Sequence, residues 1–182
     1  VQFINYRNRL KNYPITQCYR TRFITSDVKG NNWIGSATGL LMCEGNFNEP
    51  EKITFHRYSR IPGNPQSLSN NDVHNIFFTQ KGEMYVATFG GGLNKLLSLN
   101  KEQATFKAYT MKNGLPSDVL LSIEEDKDGN LWCATEEELC KFIPTTEKII
   151  NYPSRVFPRR ISFNEGAALR AHSDHLMFNT VK

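Results

Sequence analysis

The sequence predicts an all-β chain, a β-propeller of four-stranded antiparallel blades, and three observations carry that prediction. A hairpin motif recurs four times along the 182 residues. A second motif recurs out of phase with the first at nearly the same period. Between them, apolar and polar residues alternate over short stretches, and no sustained stripe at i, i+3, i+4, i+7 marks a helix.

The first motif reads Gly30-Asn31-Asn32-Trp33-Ile34-Gly35-Ser36, Gly82-Glu83-Met84-Tyr85-Val86-Ala87-Thr88 and Gly129-Asn130-Leu131-Trp132-Cys133-Ala134-Thr135, with a degenerate copy at Asp174-His175-Leu176-Met177-Phe178-Asn179-Thr180. Its anchors Trp33, Tyr85, Trp132 and Met177 lie 52, 47 and 45 positions apart (85−33, 132−85, 177−132). The second motif ends on Tyr6, Tyr58, Tyr109 and Tyr152, with steps of 52, 51 and 43. A period of roughly 40–50 residues fits propeller blades or helical repeats. The alternation, the β-branched and aromatic residues, and the Gly, Asn, Asp and Pro punctuation select strands.

Each blade can be drawn from its copy. The third has strands near Val119–Glu125, Leu131–Thr135, Leu139–Ile143 and Lys148–Tyr152, with Gly129 supplying the positive φ of the first hairpin turn. The second runs through Val73–Phe78, Glu83–Thr88, Gly92–Leu97 and Thr105–Tyr109. The first runs through Thr21–Ile24, Asn32–Ser36, Leu40–Cys43 and Ile53–Tyr58. The blades therefore occupy residues 17–60, 68–110 and 115–153. Residues 1–16 hold Phe3–Tyr6 as the last strand of a preceding blade, and 160–182 hold the first strands of a terminal one. Three blades are complete and one is partial. The two partial ends would close a four-bladed ring, or the chain is a fragment of a larger propeller; the start at Val1 favours the fragment. Trp33, Tyr85 and Trp132 are expected at equivalent places between facing blades.

Composition narrows the function classes. With 22 Lys and Arg against 18 Asp and Glu, the formal charge is a mild +4. The small clusters at Arg7–Lys11 and Arg155–Arg160 read as solvated surface, and no basic stripe with aromatic platforms points to nucleic acid. No run of eighteen apolar residues would span a membrane. Cys18, Cys43, Cys133 and Cys140 form no C-x-x-C pair, so a zinc knuckle is not expected. Cys133 and Cys140 fall on adjacent strands, where two buried thiols are the expectation and a disulfide the alternative.

Other chemical motifs yield to structural readings. Asp126-x-Asp128-Gly129-Asn130 lacks the further oxygen ligands and position-twelve Glu of a calcium loop and reads as a hairpin turn. Ser26-Asp27-Val28-Lys29-Gly30-Asn31-Asn32-Trp33 is similar to the Asp-box hairpin of sialidases, without its full pattern. His172-x-x-His175 falls on a turn with no third ligand. Gly90-Gly91-Gly92 lacks the Lys-Ser/Thr and helix of a phosphate loop. No metal, cofactor or catalytic residue is assigned, although the acidic cluster Glu124, Glu125, Asp126 and Asp128 leaves a carboxylate pair open.

Asp126-Lys127-Asp128-Gly129-Asn130-Leu131-Trp132-Cys133-Ala134-Thr135, preceded by Asn113-Gly114-Leu115-Pro116-Ser117-Asp118-Val119, closely resembles the two-component regulator propeller repeat. Gly91-Gly92-Leu93 and, in part, Thr38-Gly39-Leu40 match the Gly-Gly-Leu that follows in that repeat. About four copies cover nearly the whole chain. Departures are Glu136-Glu137-Glu138 before Leu139, Tyr85 and Met177 in place of Trp, and a first copy without the Asn-Gly-Leu-Pro lead-in. The resemblance implies the periplasmic sensor region of a hybrid two-component histidine kinase, with kinase and membrane segments elsewhere in the parent. It also implies an oligosaccharide ligand from glycan breakdown and a homodimer formed through the parent.

In a propeller the first strands line a central channel, and the loops leading into them form one rim. The rim candidates are Asn70, Asn71, Asp72, His74, Ser117, Asp118, Asn164 and Glu165. A sensor module is the leading expectation. A protein-interaction scaffold without a small-molecule site is the second, and a propeller glycosidase or lyase the third.

Overall fold

The computed structural model describes residues 3–157 and 161–181. Among these residues, three four-stranded antiparallel sheets and one two-stranded sheet form a propeller of four blades. Blade one is β1 (Thr21–Ser26), β2 (Asn32–Ser36), β3 (Gly39–Glu44) and β4 (Thr54–Tyr58). Blade two is β5 (Val73–Phe78), β6 (Met84–Thr88), β7 (Gly92–Leu99) and β8 (Ala104–Tyr109). Blade three is β9 (Ser122–Glu125), β10 (Leu131–Ala134), β11 (Leu139–Ile143) and β12 (Lys148–Tyr152). The terminal blade is the hairpin β13 (Ser162–Arg170) and β14 (Leu176–Val181). Strand order within each sheet follows the chain. The first strands β1, β5, β9 and β13 pack around the centre.

One turn recurs in all four blades. Its first residue donates its N–H to the carbonyl four positions on: Asp27 to Asn31, Thr79 to Glu83, Asp126 to Asn130 and Ala171 to His175. In blades one and three the aspartate also fastens the following strand. Asp27 accepts from the backbone of Lys29 and Asn31 and from the Trp33 indole at 3.0 Å. Asp126 repeats this with Asp128, Asn130 and Trp132, again at 3.0 Å. The expected hairpin reading of both motifs is what the geometry shows.

Lys141 Nζ adds an ion pair to Asp126 at 3.0 Å. Burial alone would raise the Asp126 pKa; the combined bonds from Asn130, Trp132 and Lys141 outweigh it and lower it from 3.8 to about 2. The stabilisation is therefore complete above the unfolded pKa near 4 and is lost as pH falls from there through 2, an effect of about 2 kcal/mol. Asp126→Asn should remove most of it at pH 7. The gap between the variant and the parent in urea unfolding should narrow at pH 3. A gap of equal size at both pH values would refute the assignment.

The apolar core lies between blades. Trp33, Leu40, Met42 and Tyr58 of blade one close on Val73, Ile76, Met84, Val86 and Phe106 of blade two. Tyr85, Ala87, Leu93 and Tyr109 close on Ile123, Leu131, Cys133, Cys140 and Phe142 of blade three. Trp33 and Tyr85 are fully buried, as expected. Trp132 is only half-buried. It lines a cavity of about 460 Å³ together with Leu176 and Phe178 of the terminal hairpin.

Phe3–Tyr6, expected as a strand of a preceding blade, takes no strand pairing in the described residues. Asn5 instead organises a turn: its carbonyl accepts from the backbone of Asn8 and Leu10, and its side chain accepts from Arg7. Local bonds of this kind compete with a sheet ladder. Cys133 lies directly opposite Cys140, and all four cysteines are buried free thiols. The Cys140 hydrogen bond and burial both push the Cys133 thiol up. Of the Arg155–Arg160 cluster, residues 158–160 lie outside the described residues.

Candidate functional site

Three first strands carry a register irregularity near their N-terminal ends. It falls between Thr21 and Phe23 in β1, between Val73 and Asn75 in β5, and between Phe163 and Ala168 in β13. A bulge releases its residues from the alternation of the ladder and re-aims them. The released residues include Arg22, His74 and Glu165, and the three meet at one end of the channel.

Arg22 is the centre of the cluster. Its Nε and Nη2 donate to the two carboxylate oxygens of Asp72 at 2.6 and 3.0 Å. This two-point geometry fixes the guanidinium plane. Its Nη1 turns to Glu165, at 3.2 Å from Oε2 and 3.4 Å from Oε1. These carboxylates, Asp72 foremost, hold the Arg22 guanidinium charged.

His74 forms the floor, with its side chain 1% exposed. Its Nε2 is 3.4 Å from Asp72 Oδ1 and its Nδ1 is 3.6 Å from Glu165 Oε1. Burial lowers its pKa; Glu165 and Asp72 oppose this, and Arg22 adds to it. Burial is the largest of these influences and works against the charged ring. Neither ring nitrogen has a hydrogen-bond partner. Phe89 stacks on the imidazole at 5.2 Å between centroids and is itself 41% exposed. Its N–H donates to the Asp72 carbonyl, which ties the aromatic to the carboxylate loop.

Below the cluster the channel continues as a cavity of about 310 Å³, lined by Thr25, Asn75, Phe77 and Glu124 among others. Burial raises the Glu124 pKa. The Asn75 side-chain oxygen is buried without a partner. Among the described residues, no group of three His, Cys, Asp or Glu side chains is arranged to hold a metal ion. No helix there is long and apolar enough to cross a membrane.

Of the eight rim candidates, the structure brings together Asp72, His74 and Glu165. The other five serve local backbone. Asn70 accepts from the Asp72 N–H and Asn71 from Arg60. Ser117 accepts from Val119 and Asp118 from Met111. Asn164 accepts from Glu165. Arg22 was missed, yet the repeat contains a signal for it. The 52-residue step from Trp33 to Tyr85 also carries Arg22 onto His74 (74−22 = 52).

Residues 114–137 match the family model described as two component regulator propeller. A search of curated proteins gives no match. Among solved structures, the chain is similar to the extracellular domain of a B. thetaiotaomicron protein assigned as the hybrid two component system BT3049. The two share 24% identity at TM-score 0.71, over 98% of this chain and 22% of that one. A second such domain, from the B. thetaiotaomicron system BT4673, gives 15% identity at TM-score 0.52, over 98% of this chain and 30% of that one. A catalytically inactive virginiamycin B lyase from Staphylococcus aureus, solved with quinupristin, gives 18% identity at TM-score 0.61, over 91% and 50%. The chain thus spans about a fifth of the length of the first relative, and these likenesses speak for the fold. Blade count, register and matched segment together identify the chain as a β-propeller that carries a two component regulator propeller repeat in its third blade.

Proposed function

We propose that this chain is a ligand-recognition module of a bacterial hybrid two-component sensor, that it works in the periplasm, and that the Arg22–Asp72–His74–Glu165 cluster with Phe89 is its ligand site. The observation that carries this reading is His74, buried between two carboxylates with neither ring nitrogen in a well-formed hydrogen bond, beside a half-exposed aromatic. Unsatisfied buried polar groups are rare in folded proteins and mark places where a partner belongs.

The chemistry suits a breakdown product of a glycan. Carboxylates accept from hydroxyl groups, the guanidinium and imidazole donate, and the Phe89 face takes an apolar sugar surface. The glycan class rests on the resemblance of the repeat, as does pairing into a homodimer through the parent protein. The reading is non-enzymatic. Arg22 is held by the two carboxylates Asp72 and Glu165, an arrangement that suits binding.

A panel of neutral and acidic oligosaccharides tests this by thermal unfolding. A true ligand at a hundredfold excess over its Kd stabilises by about 2.7 kcal/mol. In a domain of this size that is a rise of roughly 5–10 °C. The rise should vanish in Arg22→Met, and the sugars should be recovered intact. No shift across the panel would point instead to a scaffold, and product formation would point to a lyase or glycosidase.

A further inference from the structure

We propose that Glu165 is a tethered stand-in for the carboxylate of the ligand: the molecule this site takes is an acidic sugar whose carboxylate displaces Glu165 from Arg22 and His74. This rests on the ligand-site reading above and adds the charge of the ligand to it.

The two carboxylates on Arg22 are not equivalent. Asp72 engages Nε and Nη2 in two bonds of 2.6 and 3.0 Å. Its backbone is fastened on both sides, by Asn70 to its N–H and by the Phe89 N–H to its carbonyl. Asp72 is therefore the built-in orienting partner. Glu165 takes the remaining Nη1 through longer contacts of 3.2 and 3.4 Å.

Exposure separates them further. The Asp72 and Arg22 side chains are three-quarters covered, whereas that of Glu165 is 47% exposed. Glu165 therefore approaches the guanidinium from the solvent side. It stands on the stretch of β13 between Phe163 and Ala168, where the pairing with β14 is irregular. Half-exposed pairs of this kind contribute little to stability. A residue so placed can yield its position without disturbing the core.

The floor that would remain is built for an anion. Arg22 presents one free edge, and His74 presents Nδ1 from a fully buried ring, 3.6 Å from where a carboxylate oxygen already sits. A planar carboxylate in the Glu165 position meets the Arg22 edge, and the Nδ1–H tautomer of His74 adds a second donor to it. A neutral sugar would leave Glu165 in place and reach only its outer side. Because Glu165 belongs to the terminal hairpin and Arg22 to blade one, the exchange would also uncouple those two elements.

The test is a titration of D-galacturonate, D-galactose and acetate into the parent chain, Glu165→Gln and Glu165→Ala, followed by calorimetry and by the Arg22 side-chain NMR signal. An occluding group that fills the site most of the time lowers apparent affinity by the fraction it leaves open. Galacturonate should therefore bind Glu165→Ala about tenfold more tightly than the parent, with Glu165→Gln in between and galactose unchanged. Adding Arg22→Met should erase the gain. If galactose binds but galacturonate gains nothing on removal of Glu165, the stand-in is refuted and the ligand-site reading survives. If no probe binds any variant while all unfold cooperatively, both fail. Acetate binding as tight as galacturonate would uphold the displacement and overturn the sugar.

Discussion

Gly92→Ala should lower the unfolding midpoint by roughly 10 °C, the larger part of it from a backbone collision. Gly92 opens β7 with a φ of +70°, a conformation that L side chains rarely adopt. A Cβ there would collide with the Tyr109 carbonyl oxygen and stand 3.1 Å from Leu115 Cδ1. The oxygen belongs to the end of β8 and cannot rotate away as a side chain would. Gly92 also donates its N–H to Asp118 and accepts from the Thr88 hydroxyl, so its own backbone is held as well. Left-handed strain of about 1 kcal/mol and overpacking of about 1–3 kcal/mol add to roughly 3 kcal/mol. Gly82→Ala is the control. Its φ is +78°, but nothing lies within 4 Å of the added carbon. That variant should lose about 1 kcal/mol. Circular dichroism melts of both variants decide the matter, and equal losses would mean that the contact at Gly92 relaxes.

Trp33→Ala should cost about 3–5 kcal/mol, and Trp132→Ala about half as much. The two residues are the same in type, in place within the blade and in their indole bond to an aspartate at 3.0 Å. They differ in what covers them. Trp33 stacks on Tyr58 at 6.1 Å, meets Phe78 at 6.3 Å and is 1% exposed in the core it shares with blade two, although it lines a cavity of about 480 Å³ there. Trp132 stacks on Tyr152 at 5.0 Å and has Lys141 over its ring, but its outer face meets a two-stranded hairpin. The difference in cost between the two substitutions thus measures the difference in their burial. Urea unfolding of the two variants gives the comparison directly, and equal costs would show that Trp132 is covered in solution.

The blade strands were legible because period and alternation act together there. Val73–Phe78, Asn32–Ser36, Leu139–Ile143 and Lys148–Tyr152 are strands over the ranges expected, and other boundaries differ by one to three residues. Phe3–Tyr6 has the same local pattern as Phe106–Tyr109 but no described neighbour to pair with. A strand is a property of two segments, and one sequence window cannot show its partner. The site divides along similar lines. Asp72, His74 and Glu165 were found because they stand beside the lead-in loops. Arg22 was not, since the stretch before it, Cys18-Tyr19-Arg20-Thr21, carries no polar run like Asn70-Asn71-Asp72, Ser117-Asp118 or Asn164-Glu165. The bulges that aim Arg22, His74 and Glu165 inward leave no mark in composition or alternation. Only the comparison of copies, 22 against 74, reveals one of them.

The bonds that join the blades have a consequence for how the ring comes apart. Gly90 and Gly92 donate to Asp118, Leu120 donates to Thr88, and Phe163 donates to Glu136, so each joint links segments that are close along the chain. Arg22 and Glu165 are 143 positions apart, against 50 for Arg22 and Asp72. Closing the longer loop costs about 1 kcal/mol more in chain entropy than closing the shorter. A half-exposed ion pair returns about the same amount. The seam between the terminal hairpin and blade one is therefore close to balance, and opening should start there. In hydrogen exchange the amides of β13 and β14 should lose protection first, by local opening, while the joints between the first three blades exchange only as the whole ring unfolds.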